Sequence, residues 1–432
     1  MKVAFNTLGC KVNSYETEAA IEQFEQNQYE IVEFDQFSDI YVINTCMVTN
    51  TGERKSKKYI RRPYQINPNA IVIAMGCLTQ LKAEEILQID GVKIVLGTKN
   101  RDKIIEYLEE YLNTNIKLNK VEPLETNENY DRLFISDFKN HQRAFLKIQD
   151  GCNNFCSYCI IPYTRGRIRS KPRNVVLEEA KRLVQSGHIE IVLTGIHTGG
   201  YGEDLKDYSF GELLADLETI EGLRRIRISS IEITELTDEV VQVIQQSSKI
   251  VNHIHIPLQS GSNRILKRMN RKYTTEQFYA IIQKLRHNIP NLAVTTDVIV
   301  GFPGETAADF QEEYEFIQKV NFQELHVFPF SRREGTMAAK MKDQIDGIIK
   351  KERVHKLLEL SRTLKTTHFQ NQINQIHYLI PEQQKGEYIQ GHTRDYLLVC
   401  IKADQSLIGQ ELKIKITSFT EECCYGEIML QS

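Results

Sequence analysis

Along residues 1–118, short apolar runs alternate with longer stretches whose apolar positions recur every three or four residues. "KVAFNTLGC", "IYVINTC" and "AIVIAMGC" are β-branched and strand-sized, while "SYETEAAIEQFEQN" and "ERKSKKYIRRPYQ" carry helical periodicity. That order predicts a parallel sheet with helices on its faces. In such sheets ligands sit outside the carboxyl ends of the strands. Each quoted strand ends in a cysteine, Cys10, Cys46 and Cys77, spaced 36 and 31 residues apart. One strand-end cysteine reads as a small buried apolar residue. Three in succession point to a shared site.

The stretch "NKVEPLETNENYDRL" (119–133) is polar, acidic and aperiodic, and reads as a linker. Six strand–helix units follow. Their strands are "RAFLKIQ" (143–149), "IEIVLTGI" (189–196), "RRIRISSI" (224–231), "HIHIPLQ" (253–259), "AVTTDVIVGF" (293–302) and "FQELHVFPFS" (322–331). Eight units close a standard barrel; six predict an open, partial (β/α)6 barrel, again with its chemistry at the carboxyl ends. A charged helix (347–372) leads out. Beyond it "HYLIP", "YIQGHT", "YLLVCIKA", "ELKIKITSF" and "YGEIML" are short, closely spaced strands. They predict a small antiparallel β-barrel of the OB-like kind, a shape often used on RNA. The expected fold class is α/β, in segments 1–118, 119–137 (linker), 138–365 and 366–432.

Composition narrows the setting. The longest apolar runs fall far below the roughly 20 residues of a membrane span. "MKVAFNTLGC" enters a strand pattern at once, without the order of a signal peptide. The expectation is a cytoplasmic protein with no membrane partner. In that reducing setting the nine cysteines read as ligands, catalytic groups or core residues rather than disulfides. A net charge of −3 gives no global sign of nucleic-acid binding, but two local runs do. "GERKSKKYIRRP" (52–63) holds six basic residues and "RGRIRSKPR" (165–173) five, each a few residues after a cysteine. Either alone reads as a solvated face. Their shared position beside cysteines predicts phosphate contacts.

The densest chemistry is "GCNNFCSYCIIP" (151–162), directly after the first barrel strand. Its Cys152, Cys156 and Cys159 suit three corners of a 4Fe–4S cube. The fourth iron then has no protein ligand, and an open position marks a catalytic metal site. Zinc would need a fourth ligand, and His141 and His188 stand 11 and 29 residues away. Three core cysteines would be the blandest reading, but the polar "DGCNNFCSYC" is a poor place to bury them.

CxxxCxxC after the first strand of a six-unit barrel resembles the radical S-adenosylmethionine enzymes. In that family the open iron chelates S-adenosyl-L-methionine, whose cleavage releases a 5′-deoxyadenosyl radical, and Tyr158 matches an aromatic position near the adenine. With the strand-end cysteines and the terminal barrel, the whole chain is similar to the methylthiotransferases. The resemblance implies a second 4Fe–4S cluster on Cys10, Cys46 and Cys77, making two 4Fe–4S clusters. It also implies a terminal RNA-binding TRAM domain. "TLGCKVN", "GCNNFCSYCIIPYTRGRIRS" and "HIPLQSGSNRILKRMNRKYT" look most like the branch that methylthiolates carbon 2 of threonylcarbamoyladenosine beside the tRNA anticodon. The implied partners are the tRNA anticodon stem-loop, an electron donor such as flavodoxin or ferredoxin, and a sulfur source. Sister branches act on isopentenyladenosine or on a ribosomal-protein aspartate. A non-catalytic iron–sulfur or zinc RNA-binding protein is the reading from another class.

Other residues carry weaker signals. By the same resemblance Thr194, Gly195 and Gly301, in "TGIHTGGYG" and "VIVGFPGE", would contact S-adenosylmethionine, although a plain tight turn explains such glycines equally well. His253 and His255 share a strand face and read as lining or core, with no third ligand nearby in sequence. Cys400, Cys423 and Cys424 read as packing, the last two on opposite faces. Tyr388, Tyr396, Phe419 and Tyr425, with Arg394, Lys402, Lys413 and Lys415, suggest an RNA-stacking surface.

Overall fold

The apolar strands of the first region set the first layer. In the computed structural model, which describes residues 1–125, 130–138 and 142–429, six strands form one parallel sheet. They are β1 (Lys2–Thr7), β2 (Glu30–Val32), β3 (Ile40–Thr45), β4 (Ile71–Gly76), β5 (Val92–Leu96) and β6 (Leu118–Lys120), in the order β2-β1-β3-β4-β5-β6. β3 and β4 are buried throughout because helices cover both faces, so they read as continuous apolar runs. One face packs Val42, Ile73 and Ile94 against α1 (Lys11–Gln26) and later α4 (Ile104–Thr114); the other packs Tyr41, Val72 and Val95 against α2 (Asn50–Ile66) and α3 (Cys77–Leu87). β1, β3 and β4 are neighbours, which sets Cys10, Cys46 and Cys77 side by side at one edge. β6 has one buried residue and takes in the first two positions of the expected linker.

The rest of that stretch is not a solvated connection. Tyr130 donates to the Lys147 carbonyl, Asp131 pairs with Arg101, and Leu133 and Ile135 are buried in the barrel core. Its polar residues bury by finding partners, which composition does not display. Linker residues 126–129 and the candidate ligand His141 lie outside the described residues.

The six expected barrel strands appear, each shorter than its apolar run. β7 (Arg143–Lys147), with a short hairpin of β8 (Gln149–Asp150) and β9 (Arg169–Ser170) around α5 (Ile161–Arg165), is followed by α6 (Arg173–Gln185) and β10 (Glu190–Thr194). Then come α7 (Phe210–Glu218), β11 (Arg225–Ile228), α8 (Asp238–Gln246), β12 (His253–His255), α9 (Asn263–Arg268) and α10 (Thr275–Asn288). β13 (Ala293–Val300), α11 (Ala307–Val320) and β14 (Glu324–Pro329) complete the units. The ladders β11-β10-β7 and β12-β13-β14 are parallel, and an Ile226–Ile250 bridge joins them. Reciprocal Ser209–Glu212, Thr274–Gln277 and Thr306–Asp309 caps start α7, α10 and α11.

After α12 (Met337–Lys340), the 26-residue α13 (Gly347–Gln372) packs along β14 and runs through the boundary expected at 365/366. It delivers the chain to a closed barrel of β15 (Ile376–Lys385), β16 (Tyr388–Thr393), β17 (Leu398–Ile401), β18 (Leu412–Phe419) and β19 (Cys424–Ile428). Pairing there is antiparallel except between β17 and β19. Among the described residues, no helix is long and apolar enough to cross a membrane.

Candidate active site

Two of the strand-end cysteines, Cys10 and Cys77, follow glycines at positive φ, and so does Cys152 in the loop. At Gly76 (φ +108) a Cβ would sit 2.5 Å from Asn44 Oδ1 and 2.7 Å from the Thr45 carbonyl; at Gly151 (φ +75) it would sit 1.9 Å from the Arg167 carbonyl. Only glycine lets the chain turn this tightly and still aim the next side chain out of the sheet end. Cys10 then caps α1 and Cys77 opens α3. Behind them, Asn13 accepts from Cys10 Sγ at 3.7 Å, and the Ser56 hydroxyl accepts from the Cys46 amide. Burial takes the Cys46 thiol to about 11, with Cys77 and Cys10 adding to it, and the Cys10 thiol is raised by burial with Cys77 adding.

The second trio wraps a 200 Å³ cavity lined by Cys152, Cys156 and Cys159 with Tyr158, His197 and Arg271. The loop is fixed from several sides. Gln149 Nε2 donates to the carbonyls of Asp150 and Gly151, the Ser157 hydroxyl donates to the Arg268 carbonyl, and Asn270 holds the carbonyl of Phe155, itself at φ +46. Burial pushes Cys152 and Cys159 up to about 12, and the neighbouring thiols push the same way. Thiols so placed ionise only against a nearby cation, and iron is one that deprotonates its ligands outright. The donor set therefore fits a thiolate-held cluster. Thr194 ends β10 and Gly195 follows it, just before the lining residues Ile196 and His197, and Thr194 Oγ1 is buried without a partner among the described residues. Gly301 lies outside that lining, in a turn whose amide donates to Glu305 at 2.9 Å.

Each trio receives one guanidinium. Arg271 Nη1 lies 3.4 Å from Cys156 Sγ and pairs with Glu232. Arg165 Nε lies 3.3 Å from Cys77 Sγ, so a residue of the radical-type loop reaches the other trio. Arg165 is part of a buried network. Glu16 takes Arg101 at 2.5 Å, Arg165 at 2.7 Å and Lys147 at 2.9 Å, while Asp150 takes Lys147 at 2.6 Å and Arg165 at 3.2 Å. Those cations hold Glu16 and Asp150 well below the usual carboxylate range despite burial. The network fastens α1 over the carboxyl ends of the barrel strands.

This overturns half of the expectation for the basic runs. Within 165–173, Arg165, Arg169 and Lys171 are buried in ion pairs, Arg173 pairs with Asp216, and Arg167 lies over the Phe155 ring. Within 52–63, Arg54, Lys55, Lys58 and Arg61 are exposed on α2. The terminal barrel divides similarly. Tyr396 stacks between His253 and His392 at 4.6 and 4.5 Å, and Arg394 donates to the Ser248 and Ile250 carbonyls, so both serve the contact with the radical-type barrel. Phe419 packs on Phe369. Tyr388, Tyr425, Lys402, Lys413 and Lys415 remain toward solvent. Cys400 and Cys423 touch at 3.3 Å, and Cys424 fills the small core.

Inside the large barrel, His253 and His255 both bond Thr295 Oγ1, and His255 meets partners the sequence hid. Asp297 of β13 and His326 of β14 bring their ligand atoms within 4.8 Å of its own. Mutual hydrogen bonds account for this group. Lys11, the residue after Cys10, keeps solvent access, yet burial with the Arg143 and Arg227 charges lowers its ammonium to about 8.

Two family descriptions match the chain: "Radical SAM superfamily" over residues 146–317 and "Uncharacterized protein family UPF0004" over 2–97. The threonylcarbamoyladenosine tRNA methylthiotransferase MtaB of Bacillus subtilis (strain 168) is 50% identical over 96% of this chain and 93% of its own. The Aquifex aeolicus (strain VF5) protein of the same name is 40% identical over 89% and 94%. The tRNA-2-methylthio-N(6)-dimethylallyladenosine synthase of Thermoanaerobacter pseudethanolicus (strain ATCC 33223 / 39E) is 36% identical over 98% and 92%. Among solved structures, the radical S-adenosylmethionine methyltransferase TsrM from Kitasatospora setae superposes with TM-score 0.56 at 12% identity, covering 76% of this chain and 72% of that one. The cobalamin-dependent S-adenosylmethionine radical enzyme OxsB gives 0.53 at 14%, covering 82% and 56%. At such identity they share the fold alone.

Proposed function

Because the chain belongs to the radical S-adenosylmethionine methylthiotransferase family, we propose that it methylthiolates carbon 2 of N6-threonylcarbamoyladenosine beside the anticodon of tRNA. The observation that carries this is the pair of thiol trios at one barrel mouth, joined through Arg165, in a chain half identical to a relative of that name. The family uses a 4Fe–4S cluster and S-adenosylmethionine. In this reading Cys152, Cys156 and Cys159 hold the radical-site cluster, and Cys10, Cys46 and Cys77 hold an auxiliary one. Tyr158, Thr194, Gly195 and Gly301 contact S-adenosylmethionine.

Carbon 2 of adenine carries an unactivated hydrogen that no side-chain acid or base readily removes. Bound at the loop, the cluster and S-adenosylmethionine supply a carbon radical able to take it. The residues of this chain do the holding. Gln149 and Ser157 anchor the loop, Arg271 and Arg165 donate to one thiol of each trio, and the Glu16 network keeps the two trios in register. Residues 1–118 present the auxiliary site, 138–365 the radical site, with 119–137 packed between them. Residues 366–432 and the exposed face of α2 meet RNA. An electron donor such as flavodoxin or ferredoxin and a sulfur source complete the cycle in the cytoplasm, where tRNA is modified.

Mass spectrometry of tRNA nucleosides from cells lacking the protein tests this. The 2-methylthio form of threonylcarbamoyladenosine should vanish while its unthiolated parent accumulates. Loss of a methylthiolated isopentenyladenosine instead would transfer the protein to the sister branch.

A further inference from the structure

We propose that Arg165 is a positioning residue that raises the reduction potential of the auxiliary site by hydrogen-bonding one of its sulfurs. This rests on the reading of Cys10, Cys46 and Cys77 as a cluster site. Arg165 is fully buried, and its donors divide between two kinds of partner. Nη1 donates to Glu16 at 2.7 Å and to Asp150 at 3.2 Å, and Nη2 to Asn13 at 2.8 Å and to Glu16 at 3.2 Å. A guanidinium has a single further N–H, on Nε. Here it donates to Cys77 Sγ at 3.3 Å. Two carboxylates thus match the charge, and the Nε–H is left for sulfur.

The residue is held from both sides along the chain. The Thr164 carbonyl accepts from the Thr98 hydroxyl of the amino-terminal domain at 2.7 Å, and the Gly166 carbonyl accepts from the Cys152 amide at 3.1 Å. Asn13, its polar partner on α1, donates to the Leu8 carbonyl at 2.7 Å and the Thr45 carbonyl at 3.1 Å, where β1 and β3 deliver Cys10 and Cys46. One side chain of the radical-type loop therefore reaches the supports of all three strand-end cysteines, and at Cys77 the sulfur itself.

A hydrogen bond to a ligating sulfur favours the more negative, reduced form of an iron–sulfur group and so raises its potential. The proposed reaction needs an electron acceptor at this place. Joining a carbon-2 radical to a thiolate sulfur makes a thioether and leaves one electron over, with no proton moved. The thiolate is oxidised, and ferric iron held by the trio is reduced to ferrous.

The test is a redox titration, followed by electron paramagnetic resonance, of the full chain carrying Cys152→Ala, Cys156→Ala and Cys159→Ala and reconstituted with iron and sulfide. Only the strand-end trio can then hold a cluster. Arg165→Lys keeps the charge but loses the planar fork. It should shift the reduced-to-oxidised ratio at fixed potential roughly ten-fold toward oxidised, about 59 mV for one electron. Arg101→Lys disturbs the same Glu16 carboxylate without touching a thiol and should leave the potential in place. An unmoved potential in Arg165→Lys overturns the proposal. So does an equal shift in Arg101→Lys, which would assign the effect to the charge of the network. A second measurement does not depend on the Arg165 variant folding. With Arg165 intact and all arginine labelled with heavy nitrogen, the reduced cluster should show a nitrogen hyperfine coupling that changes with the isotope, and its absence overturns the proposal as well. A chain that takes up no iron in the strand-end trio sinks the two-cluster reading and this inference with it, whereas a cluster whose potential ignores Arg165 sinks the role of Arg165 alone.

Discussion

The two ends of the six-stranded barrel use charge in opposite ways. At the amino-terminal ends of the strands the guanidinium groups are matched. Arg225 meets Glu411 and the Tyr378 and His392 carbonyls, Arg227 meets Glu190 and the Thr393 carbonyl, and Arg143 meets Glu382. The terminal β-barrel supplies most of these partners and so completes the floor. At the carboxyl-terminal ends six thiols gather with one guanidinium per trio, and burial raises Cys152 and Cys159 to about 12. Saturated pairs fix a position, whereas unsaturated ligands create a demand for metal. Stability and reactivity are thus separated along the length of one barrel.

The largest effect should come from emptying one trio at a time. Alanine at Cys152, Cys156 and Cys159 should remove about half of the iron, on one cluster per trio, and abolish cleavage of S-adenosylmethionine. Alanine at Cys10, Cys46 and Cys77 should remove the other half yet leave slow cleavage to 5′-deoxyadenosine, without methylthiolation. Full iron in the second variant would mean that the mouth holds a single metal site.

The floor should fail differently. Arg225→Met strips a buried partner from Glu411 and Glu190, and breaking such a pair costs roughly 3 kcal/mol or more. Urea unfolding should register this loss, while iron per folded molecule stays constant; a fall in iron at unchanged stability would erase the distinction between the two ends. Acid probes the same place. Burial alone would raise Glu190, but Arg227, Arg143 and Arg225 outweigh it and hold the carboxyl at about 2. Its contribution, about 3 kcal/mol, is complete above the unfolded value near 4.5 and drains away as pH falls toward 2. In Glu190→Gln the slope of stability between pH 5 and 2 should therefore flatten, as read by denaturation at fixed pH. A truncation near Asn371 should resemble Arg225→Met in stability, because it removes the same partners.

The smallest effect belongs to the surface. Reversing Arg54, Lys55 and Lys58 to glutamate should weaken tRNA binding and lower its salt slope by roughly 0.7–0.9 for each phosphate no longer neutralised. Both clusters should remain. An unchanged slope would reduce this face of α2 to a solvated one.

What was legible in the sequence follows this division. Strand-end cysteines showed because β-branched runs stop abruptly at them, and the loop trio showed because its ligands lie within eight residues. The helpers did not show. Arg165 reaches Glu16 across 149 residues and Arg271 reaches Cys156 across 115, and in sequence each sits among other basic residues that suggest solvent. The same holds for Asp131 in a stretch that looked like a tether, for Tyr396 beneath the barrel floor, and for the partners of His255 on two later strands. Periodicity reports which residues avoid water; it says nothing of which charge waits elsewhere for a partner.

The spacing of the two trios also has a thermodynamic consequence. In an unfolded chain, Cys152, Cys156 and Cys159 stay close enough to grip iron together, whereas Cys10, Cys46 and Cys77 are separated by loops of 36 and 31 residues. Each such closure costs about 2 kcal/mol more than one of three or four residues. A ligand stabilises a fold only insofar as the unfolded chain cannot also bind it. Iron at the strand ends is therefore a clamp on the native state, and iron in the loop is much less of one. Chelation should lower the melting temperature chiefly through the amino-terminal sheet.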